Sequence, residues 1–470
     1  MGPRRSSSRG GAGHALVLGA GISGLCAARA LSGFFERVTV VERDTFPEPS
    51  DVRRGVPQGA HVHSLTPGGA QVLAELFPGL VEELAADGGT LAGALDELDI
   101  VFFGSRLRQV PLGRVLQVSR PFLEDRLRER VRALPGVTLR SGLEATAPIV
   151  TGPLAAGPAR VGGARVGPAR LARPGDPDSA EAVHADLVVD AMGRAGRGAT
   201  WLRSLGYRAP ATARLAVDVA YASRRYRVAP GALGRAKGVL IGATTTRPRG
   251  GVLTQQEHDA WVLSLYGFGK DDHPPAAPER FLDFAADLLP AGTLTALRNA
   301  EPITGVSSFA YPASLRRDFH RLRRLPDGLI STGDALCSLN PIYGAGMTVA
   351  ALEARALRRC LAAGPAGLPR RFYREAARAV RLPWLFSTMA DRAMPQVPGT
   401  HPAVAGLLAT AFRATMRAAA DDTRVATAVW NAVSLTGSPA ELAAPRVMAA
   451  VLRHWSPGTT PRTAPPRGKD

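Results

Sequence analysis

Lysine is almost missing from this chain: of 58 basic residues only Lys237, Lys270 and Lys469 are lysine, and the rest are arginine. Cysteine is as scarce. Cys26, Cys337 and Cys360 are too few and too far apart for a disulfide framework or a metal-ligand set, so no metal is expected and a reducing cytoplasm suits the chain. Aromatic residues make up 6% and are not interleaved with the arginines, so the net charge of +18 lacks the stacking platforms of a nucleic-acid groove. With 51 glycines and 38 prolines, the arginine bias reads as the mark of a GC-rich genome. Attraction of anionic substrates, partners or lipid surfaces stays open. No apolar run is long enough to span a bilayer. Gly-x-Ser-x-Gly and Cys-x-x-Cys are also missing, which removes the hydrolase elbow and the thioredoxin-type dithiol. Met1-Gly2-Pro3-Arg4-Arg5-Ser6 imitates a myristoylation or twin-arginine start, but the first apolar segment belongs to another motif and lacks a cleavage site.

What is present has a clear order. Residues 14 to 44 read as strand, helix, strand: buried Ala15–Leu18, a small-residue helix Ile22–Leu31, and β-branched Val38–Val41. Thr66-Pro67 looks like a helix start with the hydroxyl as cap, and Ser119–Leu134 like a charged amphipathic helix stopped by Pro135-Gly136. Between about 206 and 322, alternating segments at Ala216–Tyr221, Gly238–Ile241, Trp261–Tyr266 and Ile303–Tyr311 suggest an antiparallel sheet, with helices around Pro278–Leu289. The expected fold is α/β with an α+β insertion. A Rossmann-like dinucleotide-binding domain is split into 14–205 and 323–382, and a substrate-binding sheet occupies 206–322. A helical region follows at 383–455, with a disordered basic arm at 1–13 and a disordered tail at 456–470. A low-complexity repeat, Gly157-Pro-Ala-Arg-Val, Gly162-Gly-Ala-Arg-Val, Gly167-Pro-Ala-Arg-Leu, reads as an expanded surface hairpin or loop without a function.

Two constellations carry chemistry. In Gly19-Ala-Gly21-Ile-Ser-Gly24, Gly19 permits the tight turn, Gly21 lets the backbone approach a pyrophosphate, and Gly24 lets helix and strand pack closely. Glu42 ends the second strand, where an acid accepts hydrogen bonds from ribose hydroxyls and disfavours a 2′-phosphate; FAD or NAD therefore suits the site better than NADP. The second is Gly328-Leu-Ile-Ser-Thr-Gly333-Asp334-Ala335, then Asn340-Pro341-Ile-Tyr-Gly344-Ala-Gly346-Met347. Asp334 can bind a polyol, while Gly344 and Gly346 let a helix N-terminus approach a ring carbonyl, its dipole favouring negative charge there.

This pairing resembles the flavoprotein monooxygenases with the p-hydroxybenzoate hydroxylase fold, over most of residues 14 to 380. Arg53-Arg-Gly-Val-Pro-Gln58-Gly-Ala-His61-Val-His63 is similar to a run in bacterial flavin-dependent epoxidases and related tailoring oxygenases of polyketide biosynthesis. The resemblance implies a bound FAD, with Arg53 near its phosphates and Arg120 beside it. Met347, Pro341 and Ile342 would lie near the ring. One departure stands out: where ring hydroxylases carry an aspartate in Gly-Ala-Asp-Gly, this chain has Met192 in Asp190-Ala-Met192-Gly193-Arg194. That puts hydroxylase-type NADPH docking in doubt and makes a separate flavin reductase plausible, with NAD(P)H as direct or indirect electron donor. His61 and His63 lack a third metal ligand and read as structural or loop-packing residues.

The implied activity is insertion of one oxygen atom, through a flavin C4a-hydroperoxide, into an apolar alkene or aromatic natural product, by epoxidation or hydroxylation. No catalytic side chain announces itself. Tyr221, Phe309 and Tyr311, with Trp261 and Tyr266, are candidate walls of the substrate site. Two rivals share the scaffold: an FAD-dependent dehydrogenase or reductase of the geranylgeranyl-reductase-like branch, and a non-catalytic flavin-bound scaffold. Tyr-x-Trp-x-Phe-Pro, a mark of that reductase branch, is absent, as is the Trp-x-Trp of tryptophan halogenases.

Overall fold

The first strand, His14–Leu18, is buried at all five positions, as a parallel strand covered on both faces must be. It sits at the centre of a five-stranded parallel sheet in the order Leu329–Ser331, Leu187–Asp190, His14–Leu18, Arg37–Val41, Val137–Arg140. Alternation along it sorts the core. Ala15 and Val17 join a helical layer containing Ile22–Leu31, Arg120–Arg132 and Gly346–Ala362, while Leu16 and Leu18 face the other way. The computed structural model from which this is read describes residues 13–46, 52–93, 97–111, 113–151, 159–169 and 180–455. The expected arm (all but residue 13) and tail lie outside the described residues.

On the second face lies a three-stranded antiparallel sheet, Leu143–Thr151, Arg160–Pro168 and Glu181–His184. The repeat is part of it. Val161, Ala164 and Val166 are buried against Leu16, Leu18 and Val41, so its described portion is a hairpin strand that closes the back of the nucleotide sheet, not a surface loop. The compositional bias hid a strand whose period is broken by two register shifts, between Val161 and Gly163 and between Arg165 and Val166.

The inserted sheet runs Cys337–Ser338, Ser307–Arg317, Thr212–Arg227, Ala260–Phe268, Arg249–Gln255, Gly238–Ile241, Leu98–Phe102, Ser105–Arg106. It is antiparallel except where Gly238–Ile241 pairs in parallel with Leu98–Phe102, a strand from far upstream. Helices Pro278–Phe284 and Ala291–Arg298 cover one face. Helix Leu368–Arg392 runs unbroken through residue 383. Helices Pro402–Asp421, Thr423–Ser434 and Pro445–Arg453 then pack on the end of the sheet around Ile100 and Leu107. Pro67 begins helix Pro67–Leu76, but Thr66 does not cap it: its hydroxyl donates to the Ser434 carbonyl at 3.2 Å. No helix among the described residues is long and apolar enough to cross a membrane.

Candidate active site

The glycine loop is held by buried charges. Gly19 has φ +102°, and a Cβ there would lie 2.6 Å from the Ala191 carbonyl oxygen; a Cβ on Gly24 would lie 1.8 Å from the Gly19 oxygen. Strand and helix cross too closely for any side chain. At Gly21 the situation differs, because a Cβ would stand 3.8 Å from the Nη2 atoms of both Arg53 and Arg120. That is ordinary contact, on the side where two guanidinium groups face the start of helix Ile22–Leu31.

Those arginines are positioned by carboxylates. Arg53 Nη1 lies 3.0 Å from Glu42 Oε2 and 3.7 Å from Asp44 Oδ2, and Arg53 Nη2 donates to Glu124 Oε2 at 2.7 Å. Arg120 Nε donates to Glu124 Oε1 at 2.9 Å from the same helix, whose first turn is capped by Ser119 accepting from the Phe122 N–H. Burial pulls Glu124 upward, but Arg120 and Arg53 outweigh it and hold its carboxyl below the usual range. Glu42 accepts from the Ala20 N–H at 2.7 Å and the Asp44 N–H at 3.1 Å. Its carboxylate is thus already engaged in bracing the loop, with one lone-pair site of Oε1 left for a ribose.

The second motif lies opposite. Strand Leu329–Ser331 ends in the turn Gly333–Ala335, and Asp334, half-buried, accepts from Ser338 Oγ at 3.3 Å. Burial raises its carboxyl, against the charges of Arg120 and Arg194. Helix Gly346–Ala362 follows, and a Cβ on Gly344 (φ +64°) or Gly346 would meet nothing within 4 Å. Asp190 is wholly buried and accepts from the N–H groups of Met192 and Gly198. Arg194 donates to the Ala313 carbonyl and Ser338 Oγ and stacks 4.7 Å from the Tyr311 ring centre.

A single cavity of about 700 Å³ joins these parts to the inserted sheet, within the range of small-molecule sites. Nine of the ten residues expected to hold the cofactor line it, as do Tyr221, Phe309 and Tyr311; Gly24 does not, being buried where the helix crosses the Gly19 turn. Tyr221 pairs in register with both Tyr266 and Phe309. Trp261 does not line the cavity; it lies five residues from Tyr266, hence on the opposite face, in the core beneath Phe281. Ile342 packs beside Tyr221 and Tyr311 rather than on the cavity wall.

Three polar features escaped the sequence reading. First, His61 is buried and also lines the cavity against Tyr221 and Phe309, with ring centres 5.7 and 5.9 Å away. Its Nδ1 is 2.7 Å from Ser223 Oγ, whereas its buried Nε2 has no hydrogen-bond partner among the described residues. Burial depresses His61 to about 4; His63, also on the wall, is pushed to about 3 by burial and the Arg120 charge. Second, the Tyr221 hydroxyl donates to Asn340 Oδ1 at 3.1 Å, Asn340 Nδ2 donates to Asp391 Oδ1 at 2.9 Å, and the Tyr343 hydroxyl donates to the same oxygen at 2.8 Å. Asp391 Oδ2 is buried without a partner, and burial lifts the carboxyl to about 7. Third, Glu353 beneath the Gly333 turn accepts from Thr332 Oγ1 and the Gly333 N–H and is lifted by burial to about 8. Only Asn340, next to a proline and a glycine pair, carried a local hint.

Asp391 gives a pH prediction. Its carboxyl keeps its proton in the fold while the unfolded chain gives one up near 3.8. Its contribution to stability therefore falls as pH rises between about 4 and 7. Asp391→Asn preserves the carbonyl acceptor for Asn340 and Tyr343 and removes the titration. Its stability relative to the parent should climb by on the order of 2 kcal/mol between pH 5 and 8. Urea unfolding at both pH values measures the difference, and a pH-independent difference would contradict it. The comparison must be variant against parent, because His61 and His63 push the parent's own curve the other way at acid pH.

Among the described residues no group of three or more His, Cys, Asp or Glu is placed to hold a metal. Glycine loop, paired arginines, Asp334 turn and helix Gly346–Ala362 surround one cavity in a fold of the p-hydroxybenzoate hydroxylase type. The chain belongs to the family of Protein Rv3254 of Mycobacterium tuberculosis, with which it shares 37% identity over 360 residues, 74% of this chain and 73% of that one. No family model matches it. Solved structures agree on the fold. The flavoprotein/dehydrogenase of Cytophaga hutchinsonii superposes with a TM-score of 0.63 at 16% identity, covering 94% of this chain and 98% of that one. PqsL of Pseudomonas aeruginosa, a probable FAD-dependent monooxygenase, gives 0.58 at 17% identity, covering 88% and 99%. The donor set fits FAD: the open side of Gly21 faces two guanidinium groups, and the open side of Gly344 and Gly346 faces the far end of the same cavity.

Proposed function

We propose that this protein is an FAD-dependent monooxygenase that delivers one oxygen atom to an apolar alkene or aromatic small molecule. The observation that carries the reading is the continuity of one cavity, from the arginine-faced glycine loop, past Gly344–Met347, to the aromatic wall of the inserted sheet. Arg53, Arg120 and the start of helix Ile22–Leu31 would hold the FAD phosphates, Glu42 the adenosine ribose, Asp334 the ribityl chain and Gly344–Met347 the ring. FAD, when bound, supplies the activation of dioxygen.

The side chains of the chain do the rest. Tyr221 and Tyr311 spend their hydroxyls on Asn340 and Ser338, so with Phe309 they offer rings to an apolar substrate and keep water out. His61 Nε2, unpartnered between two of these rings, anchors a single polar group of the substrate. Asp391, at about 7 and one hydrogen bond behind the Tyr343 hydroxyl, can accept a proton relayed from an acidic substrate hydroxyl near neutral pH. Epoxidation needs no such base; ring hydroxylation benefits from one. Met192 at the position of the hydroxylase aspartate favours electron delivery from NAD(P)H through a separate flavin reductase, in the cytoplasm. A flavin dehydrogenase is the second reading, because the run Asp190-Ala-Met192-Gly193-Arg194 resembles the reductase-like branch as well as the epoxidases.

The test is reconstitution of the full chain with FAD, NADPH, a flavin reductase and candidate polyenes or phenols, followed by oxygen uptake and product mass. A product heavier by one oxygen atom is expected. A product changed only by two hydrogens would establish the dehydrogenase, and retained FAD without substrate-dependent turnover would leave a flavin-bound scaffold.

A further inference from the structure

A second cleft of about 380 Å³ lies outside the cavity described above, between the strand end and turn at Arg316–Arg321 and helix Leu368–Arg392. Arg316, Arg317 and Arg321 line one wall; Arg374, Arg378 and Arg381 line the other. The helix trio is spaced i, i+4, i+7, so one stripe of the helix is arginine, and like charges at this spacing repel. A fold tolerates two facing cationic walls at a cost, unless an anion sits between them.

Neutralisation within the chain is incomplete. Asp318 is the one acid on the cleft lining, buried and shared by Arg316 at 2.8 Å and Arg321 at 3.6 Å. Arg378 pairs with Glu375. Arg317 is held by the carbonyl oxygens of Arg194, Asp334 and Ala335, and the Asp190 and Asp334 carboxylates act on its charge from the side of the main cavity. Arg374 and Arg381 are exposed and make no hydrogen bond or ion pair to any described residue. Apart from exposed His320, the remaining lining is largely apolar: Phe319, stacked on Tyr373 at 4.6 Å, with Leu336, Ala377 and Val380. Guanidinium groups matched in pairs suit phosphate oxygens, and an apolar floor suits an organic moiety.

We propose that this cleft binds an organic polyphosphate, a nucleotide-like molecule carrying at least two phosphate groups, at a site distinct from the flavin-type cavity. This holds whatever the reaction in the main cavity. Arg317 joins the cleft to the Gly333–Ala335 turn through two carbonyl groups, so an occupant would also bear on the placement of Asp334.

Calorimetric titration of the full chain, loaded with FAD, with NADPH, coenzyme A and inorganic pyrophosphate tests it. At least one organic phosphate should bind ten-fold or more tightly than pyrophosphate, and more weakly as salt rises; which one binds separates a dinucleotide from a phosphopantetheine source. Arg374→Gln combined with Arg381→Gln should weaken that binding at least ten-fold, with flavin content and unfolding midpoint unchanged or the midpoint slightly raised. Binding that survives the double variant belongs elsewhere and overturns the proposal. Equal competition by sulfate at matched ionic strength overturns it as well, by reducing the cleft to a counter-ion atmosphere. Capture of anionic phospholipid vesicles through the same arginines, with none of the three soluble ligands bound, would make it a membrane surface instead.

Discussion

Gly24→Ala should destabilise the fold, while Gly21→Ala, three residues away in the same loop, should leave the fold intact and lose the flavin. The difference lies in what each new methyl group meets. At Gly24 a Cβ would stand 1.8 Å from the Gly19 oxygen and 2.9 Å from its carbonyl carbon, and backbone at a strand-to-helix crossing cannot step aside. Overpacking of this kind costs about 1–3 kcal/mol where side chains can adjust, so the upper end of that range or beyond is expected here. At Gly21 the φ of −78° is ordinary for any residue, and the nearest atoms are guanidinium and carboxylate ends at 3.8 Å. Stability should therefore change by less than about 1 kcal/mol. The methyl group would occupy the side on which a pyrophosphate must approach the backbone, so FAD affinity should fall at least ten-fold. Urea unfolding and flavin fluorescence titration on both variants separate the two effects. If Gly21→Ala binds flavin like the parent, the loop does not cradle the pyrophosphate.

The same contrast shows what could be read from the sequence. The glycine loop was legible because its demands are local: a continuous apolar strand, three spaced glycines and a small-residue helix. The Asp334 turn and Gly344–Met347 were legible for the same reason, and nine of the ten expected cofactor residues meet on one cavity, Gly24 lying beneath it. The inserted sheet was legible as alternation, but its partnership with Leu98–Phe102 was not, since a parallel pairing across more than a hundred residues leaves no local trace. Trp261 could have been set apart from Tyr266 by parity alone. His61 and Asp391 were not accessible in this way. Their chemistry arises from an orphaned ring nitrogen and an orphaned carboxylate oxygen, and both are products of tertiary burial. Arg53 was legible as a residue of the cavity, but not its carboxylate cluster, because Glu42 and Asp44 come from one segment and Glu124 from another far along the chain.

Those carboxylates make Arg53 the position where substitution should cost most. Arg53 is 5% exposed, and Glu42, Asp44 and Glu124 around it are all buried. Burial works against its charge, yet Glu124 and Glu42 more than offset this and hold its proton tighter than usual. Arg53→Met keeps most of the volume and removes the cation, leaving Glu42 and Asp44 without a close buried counter-charge and Glu124 with Arg120 alone. Removing one partner of a buried ion pair costs about 3–5 kcal/mol, and two like-charged neighbours add to that. The pH dependence has a definite sign. In the parent, Glu124 sits below its unfolded pKa. Its contribution is therefore complete above the usual carboxylate range and is lost as pH falls through the folded value. In the variant Glu124 has only Arg120 to oppose its burial, so its carboxyl rises and protonation relieves it. The stability gap between parent and variant should be widest at neutral pH and narrow towards pH 4. Urea unfolding of the two proteins at pH 4.5 and 7.5 decides it. A gap below about 1 kcal/mol at neutral pH would mean that solvent reaches the cluster and that Arg53 is an ordinary surface charge. A full gap that narrows in acid makes Arg53 the cation on which the loop, its acids and the phosphate end of the cavity all depend.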